Sequence, residues 1–400
     1  MKYAFAKRVR HLQSSAVRDI LKIVNQGDVI SFAGGLPDDE LFPTRAITDA
    51  FSRALAKGNK ALQYGETEGY RPLREVIIER MKKKAITGFT ADDVLLTTGS
   101  QQAIDLFARV MISPGDVILT EEPTYLAALQ VFQSYEARII PVKCDEDGMV
   151  MADLQDKIKQ YKPKMMYVVP TFSNPSGRVW TLERRIDLVK IIHKYHVLVF
   201  EDDPYGDIQF TGEGYTPIAA LDKGSHVLYT STFSKTAVPA LRTGWIVGPY
   251  QIIRMMAQAK QANDLHSNSL AHQALFELCT HFDLDGHIDS IRSVYAKRKT
   301  AMVESLTRAK EEGKIHFVEP KGGMFLWLET KPMLNMEALL PRAVEKGIAY
   351  VPGAPFFAGK PMQNTLRLNF THATEEQIQV GMELLTSMFR EVNKESVLLK

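Results

Sequence analysis

Cysteine is nearly missing from this chain. Cys144 and Cys279 are the only two in 400 residues, far apart and in no metal-ligand or redox spacing. A disulfide framework and a cysteine-held metal are therefore not expected, and two isolated reduced thiols suit a cytoplasmic protein. An excess of charge of one sign is missing too. Lys plus Arg (49) against Asp plus Glu (47) leaves a formal net charge of +2, which gives no electrostatic case for nucleic acid or an anionic membrane surface. No apolar run approaches the ~20 residues that span a bilayer. Met1–Arg10 has charges with no apolar stretch behind them, so no signal peptide is read there. Internal repeats and low-complexity segments are absent. What remains, 45% hydrophobic and 24% charged residues, describes a globular protein, and the length favours two packed domains over one.

Between about residues 90 and 250, short β-rich runs alternate with helical stretches. The runs are Val94–Thr98, Val117–Thr120, Arg138–Val142, Met165–Val169, Val197–Phe200, Val227–Thr230 and Trp245–Gly248. Several are apolar on successive residues, as strands covered on both faces are. The alternation predicts an α/β fold with a mainly parallel sheet and right-handed crossovers, and ligands in such sheets bind at the carboxyl ends of the strands. From about 290 the pattern changes. A long helix from Ile291 to about Lys310 leads to short strands near Phe317–Val318 and Gly323–Trp327. A helix near Ala338–Lys346, strands at Ala349–Val351 and Leu366–Phe370, and a last helix from Glu375 complete a smaller α+β domain. The expected division is an arm belonging partly to the small domain over 1–48, a large domain over 49–288 and the small domain over 289–400. The run Lys82–Lys84 closes a helical stretch and reads as a solvated face; His193 and His196 read as solvated residues at a helix end.

The motifs with chemistry in them all follow strands. After Val227–Thr230 comes Ser231-Thr-Phe-Ser-Lys235, with Arg242 seven residues beyond. A lysine at a strand end can point its amine into a pocket, where burial lowers its pKa and frees a nucleophile for imine chemistry. Thr232, Ser234 and Arg242 are donors suited to a phosphate. Thr98-Gly99-Ser100-Gln101 opens a helix, which serves equally as a plain N-cap or as an anion site built from free N–H groups. Tyr125 either packs at a surface or stacks on a flat heteroaromatic ring. Asn174-Pro-Ser-Gly177 is a turn whose Asn174 could donate to a phenolate. Glu201-Asp202-Asp203-Pro-Tyr205 supplies a carboxylate for a pyridinium nitrogen. A metal at the paired aspartates is not expected, because adjacent strand residues face opposite ways and no His or Glu complements them.

Taken in order, Phe32–Pro37, Leu62–Tyr64, Thr98–Gln102, Asn174–Gly177, Asp202–Tyr205, the Lys235 cassette, Lys321–Trp327 and Asn364–Arg367 resemble the fold-type I aminotransferases that use pyridoxal 5'-phosphate (PLP). Among these the chain is most similar to the 2-aminoadipate/kynurenine group. The resemblance implies a seven-stranded large domain, a homodimer, and transfer of an amino group from an L-amino acid to a 2-oxo acid such as 2-oxoglutarate. It implies that Lys235 holds the cofactor as an imine and shuttles the α-proton, and that Asp202 pairs with the ring nitrogen. Asn174 and Tyr205 would meet the phenolate, while Tyr125 stacks on the ring. Gly99, Ser100, Gln101, Thr232, Ser234 and Arg242 would hold the phosphate, with Tyr64 reaching in from a second subunit. Arg367 would grip the substrate α-carboxylate beside Gly35 and Asn174, and Arg18 would meet a distal carboxylate. Thr232, Ser176 and Ala240 replace the family's usual Ser, Thr and Gly, each keeping a hydroxyl or small size.

Two other readings share these residues. Domains of this subgroup also serve as effector modules behind a winged helix, for which the family-like arm, starting at once, leaves no room. A PLP lyase on the same fold is the other, and the retained Arg367 argues against it.

Overall fold

The computed structural model describes residues 3–6, 20, 29–212, 214–331 and 333–398, with side chains to residue 392. The seven predicted runs form one sheet. Its strands are β1 (Val94–Thr97), β2 (Val117–Glu121), β3 (Arg138–Val142), β4 (Met165–Val168), β5 (Leu198–Asp202), β6 (Val227–Thr232) and β7 (Gly244–Val247). Their order is β1-β7-β6-β5-β4-β2-β3. Only β7 runs antiparallel, between β6 and β1, while β6, β5, β4, β2 and β3 pair in parallel. Every residue of β1, β4, β6 and β7 is buried. Continuous apolar runs are what such two-sided burial requires, whereas β3, with the sequence Arg-Ile-Ile-Pro-Val, tolerates its proline at the sheet edge.

Helices cover both faces, and the sheet's side chains divide between two apolar clusters accordingly. Leu95, Ile118, Tyr167 and Phe200 pack with Phe107 and Phe132 on one face. Leu96, Leu119, Met166, Val199 and Tyr229 pack with Trp180 and Leu188 on the other. A third cluster joins Phe32, Tyr295, Leu326, Leu328, Leu368 and Met382. It lies against a second, antiparallel sheet of β8 (Ile315–His316), β9 (Phe325–Thr330), β10 (Val351–Pro352) and β11 (Thr365–Asn369), ordered β8-β9-β11-β10. Ile30–Ser31 pairs in parallel with Ile348–Ala349, which docks that short segment on this part. Among the described residues, no helix is long and apolar enough to cross a membrane.

Three sequence readings need correction. The long helix begins at Leu284, not near Ile291, because Asp283 caps it by accepting from the Gly286 N–H at 2.9 Å. It is therefore one rod with Leu284 and Ile288 in the large core and Ile291 and Tyr295 in the small one. Lys82 and Lys83 are exposed, but Lys84 turns inward to Asp203 at 3.2 Å and Asp207 at 3.0 Å. His193 is not simply solvated, since its Nε2 lies 2.8 Å from the buried Asp222 carboxylate.

Candidate active site

The carboxyl ends of β1, β2, β4, β5 and β6 meet β11 around a cavity of about 290 Å³. Gly35, Gly99, Ser100, Gln101, Tyr125, Asn174, Asp202, Tyr205, Thr232, Ser234, Lys235, Arg242 and Arg367 all line it. Two sequence-predicted residues do not join them. Tyr64 is 79% exposed, its ring edge-on to His266, and Arg18 lies outside the described residues.

One end of the cavity is built for an anion. Helix Gly99–Met111 has no side-chain cap, because Thr98 turns its hydroxyl to Ser267 Oγ at 3.0 Å. The first-turn N–H groups thus have no side-chain cap among the described residues, as an anion site at this helix start would require. Gly99 is required there: its φ is +71°, and a Cβ would stand 2.7 Å from Arg242 Nη2. Arg242, itself left-handed at φ 47°, reaches Ser234 Oγ at 3.5 Å. Thr232 Oγ1 lies 3.0 Å from Ser234 Oγ and donates to the Thr243 carbonyl at 2.9 Å. Gly244 lets β7 approach, since a Cβ would meet Ser100 N at 2.8 Å.

At the cavity floor sits Asp202. Its Oδ2 accepts from Tyr167 Oη at 2.7 Å, while Oδ1 is buried with no partner among the described residues. Burial pushes this carboxyl up to about 7, against the pull of Tyr167 and with added repulsion from Asp203. An orphaned buried carboxylate oxygen calls for a donor that the described residues do not supply. Asp203 points the other way, to Lys84 and Tyr229, as alternation along a strand predicts. Tyr167 is a residue that sequence reasoning missed; its only signal is its place on β4, adjacent to β5.

Lys235 Nζ donates to the Gly35 carbonyl at 2.8 Å. Burial lowers the amine to about 8, helped by the positive charges of Arg367 and Arg242. Arg367, on β11, donates from Nη1 to Asn174 Oδ1 at 2.8 Å and from Nη2 to the Ala33 carbonyl at 2.6 Å. Its Nε has no partner among the described residues. The guanidinium lies 4.3 Å from the Phe325 ring centroid and 5.4 Å from that of Phe356. Burial brings it down to about 10, the phenols of Tyr205 and Tyr125 offsetting part of the fall. Phe356 also escaped the sequence analysis, which had no pattern to place it opposite Arg367. Asn174 gives its oxygen to Arg367, and its amide donates toward the Tyr205 phenol. Burial pushes the Tyr205 phenol up, and burial together with Asp202 carries Tyr125 up to about 12. Tyr125 Oη stands 3.5 Å from Gln101 Oε1.

A ring bearing a phosphate, a nitrogen and an aldehyde fits this donor set from end to end. The comparisons agree. The family model for class I and II aminotransferases matches residues 27–385. An aromatic-amino-acid aminotransferase of Thermococcus litoralis is 39% identical over 98% of this chain and 95% of its own length. A 2-aminoadipate transaminase of Thermus thermophilus is 36% identical over 96% of this chain and 95% of its own. The crystal structure of a kynurenine aminotransferase from Pyrococcus horikoshii superposes with a TM-score of 0.92 at 40% identity, covering 97% of each chain. With the family model spanning most of the chain, this protein belongs to the class I and II aminotransferases, the fold-type I enzymes that depend on PLP.

Proposed function

We propose that this transaminase takes its amino group from aromatic and 2-aminoadipate-type L-amino acids and passes it to a 2-oxo acid, 2-oxoglutarate foremost. The observation that supports this reading best is the meeting of three incompletely satisfied groups in one cavity. They are the depressed amine of Lys235, the orphaned Oδ1 of Asp202 and the free Nε of Arg367. PLP bound here supplies an electron sink for the pair left when the substrate Cα–H bond breaks.

The residues divide that work. The N–H groups of Gly99, Ser100 and Gln101, with Thr232, Ser234 and Arg242, would hold the phosphate. Asp202 Oδ1 would accept from the ring nitrogen and, with a cation beside it, would stay ionised. Asn174 and Tyr205 would donate to the ring oxygen, and Tyr125 would cover the ring face. Arg367 orients the substrate carboxylate, its Nε completing the fork that Asn174 and Ala33 hold in place. Lys235 Nζ, neutral in useful amount near pH 7, takes the proton from substrate Cα and returns it, with the Gly35 carbonyl as its resting partner. Leu126 and Phe356 give the substrate side an apolar wall that suits an aromatic group.

We further propose a cytoplasmic homodimer in which Tyr64, exposed here, reaches the partner's phosphate site. The division at residues 1–48, 49–288 and 289–400 then places the reaction at the seam of the two larger units. Arg18 is proposed to read a distal carboxylate. The test is a panel of amino donors with 2-oxoglutarate, followed by 2-oxo acid formation, on the wild type, Lys235→Ala and Arg18→Ala. Turnover should vanish in Lys235→Ala, and Arg18→Ala should raise KM about ten- to a hundredfold for glutamate and 2-aminoadipate but not for an aromatic donor. Turnover that survives Lys235→Ala would overturn the assignment, and loss confined to neither donor class would remove Arg18 from it.

A further inference from the structure

The amino ends of β5 and β6 carry a side-chain cluster that transamination does not use. Helix Leu182–Tyr195 brings His193 to its last turn and stops at His196, which adopts φ 53°. The short helix Ile218–Asp222 ends beside it, and Ser225–His226 lead directly into β6. Asp222 is the centre of the group, its side chain 0% exposed. Its Oδ2 accepts from the backbone N–H groups of Ser225, His226 and Val227 at 2.8, 2.8 and 3.0 Å, which fixes the carboxylate plane. Its Oδ1 lies 2.8 Å from His193 Nε2 and 3.8 Å from His226 Nδ1. The His193 and His226 ring centroids are 4.6 Å apart, and His196 stacks on His226 at 5.9 Å.

We propose that His193 Nε2, His226 Nδ1 and Asp222 Oδ1 form a structural binding site for a divalent transition metal of the zinc class. The three donor atoms lie within 4.8 Å of one another. Ligands about 2.0–2.1 Å from a tetrahedral zinc stand roughly 3.3 Å apart. The observed 2.8 and 3.8 Å to Asp222 fall on either side of that spacing, and the two imidazole nitrogens lie within 4.8 Å of each other, so side-chain rotations that draw the rings together would close the site. Two imidazoles and one carboxylate favour zinc over calcium or magnesium, which prefer oxygen donors throughout. Three backbone N–H groups already orient the carboxylate from its far side, as outer partners of metal ligands do. A turn-capping aspartate accounts for those three bonds and for the Ser225 Oγ that donates to Oδ1 at 3.0 Å, but not for the two histidines brought beside the same oxygen.

Binding displaces the proton shared along His193 Nε2–Asp222 Oδ1 into solvent, and Ser225 Oγ, now 2.9 Å from His226 Nδ1, gives up that contact. Water or the neighbouring His196 completes the shell. The site lies at the opposite end of β5 and β6 from Asp202 and Lys235, roughly 15–20 Å away for strands of this length. A metal there ties a helix end to the starts of the two strands that present those residues, and takes no part in amino transfer.

The experiment uses the PLP-loaded enzyme, stripped with a chelator and titrated with zinc chloride by calorimetry, with thermal unfolding measured alongside. One zinc per chain and a Tm higher by a few degrees are expected. His193→Ala and His226→Ala should each weaken binding at least tenfold and remove the Tm rise, with transamination unchanged. His316→Ala, remote from the cluster, should behave as wild type. Cobalt in the wild-type protein should give the visible absorption of a tetrahedral site, a readout that needs no variant to fold. No saturable zinc, or zinc binding that survives both histidine substitutions, would overturn the proposal.

Discussion

Capture of PLP by the apoprotein gives a direct measure of what the fold does to Lys235. The amine must be neutral to attack the cofactor's aldehyde. Burial, with Arg367 and Arg242, brings its pKa from 10.5 to about 8. At pH 7 about one molecule in ten then carries the free amine, against about one in three thousand for an ordinary lysine. The second-order rate of capture at low PLP, corrected for the separately measured ionisation of PLP, should rise about tenfold per pH unit below 8. It should level off above 8, where a free lysine derivative would still be climbing. The same shift has a stability side, with its sign set by the depressed cation. Protonated Lys235 opposes folding at all pH values below about 8, and the penalty fades between 8 and 10.5 as the unfolded chain also loses its proton. The full shift corresponds to about 3 kcal/mol, less here because the residue is only partly enclosed. Lys235→Met should therefore stabilise the apoprotein by about 1–3 kcal/mol in denaturant unfolding at pH 7, and by almost nothing near pH 11. A capture midpoint close to 10, or a Met variant whose gain does not fade with rising pH, would refute the reasoning.

Other outcomes follow from the same geometry. Asp202→Asn should keep PLP in place by absorbance yet lower kcat on the order of a hundredfold, the scale of one preorganised charge contact. Arg367→Lys loses a planar fork held by Asn174 and Ala33, so KM for the amino donor should rise about ten- to a hundredfold, more than kcat falls. Gly99→Ala puts a Cβ 2.7 Å from Arg242 Nη2 at φ +71°, and dialysis should strip its PLP at least tenfold faster than from the wild type. Tyr64→Phe should weaken PLP retention by about 1 kcal/mol in equilibrium titration, and sedimentation should show a dimer in both proteins.

The large sheet was legible in the sequence for a physical reason. Strands covered on both faces need unbroken apolar runs, and such runs stand out between amphipathic helices. The motifs at their ends were legible because a parallel sheet sends its loops to one edge, so Thr98, Asn174, Asp202 and Lys235 had to meet once the strands were ordered. Local chemistry likewise showed that Asp202 and Asp203 face apart, because side chains alternate along a strand. Less could be read where partners are distant in the chain. Nothing near Tyr167 in sequence says that it holds Asp202 Oδ2, nor anything near Phe356 that it lies against Arg367. Lys84 looks like its solvated neighbours until the fold sets Asp203 and Asp207 beside it. His193 and His226 gain a meaning only when two helix ends bring them to one carboxylate. Composition, periodicity and turn chemistry are short-range properties, so the sequence alone determined the class of fold, the strands and the residues fit for the chemistry. Packing between elements far apart in the chain settled the rest: which oxygen of Asp202 is left unpaired, how far the amine of Lys235 is lowered, and which charges are drawn inside.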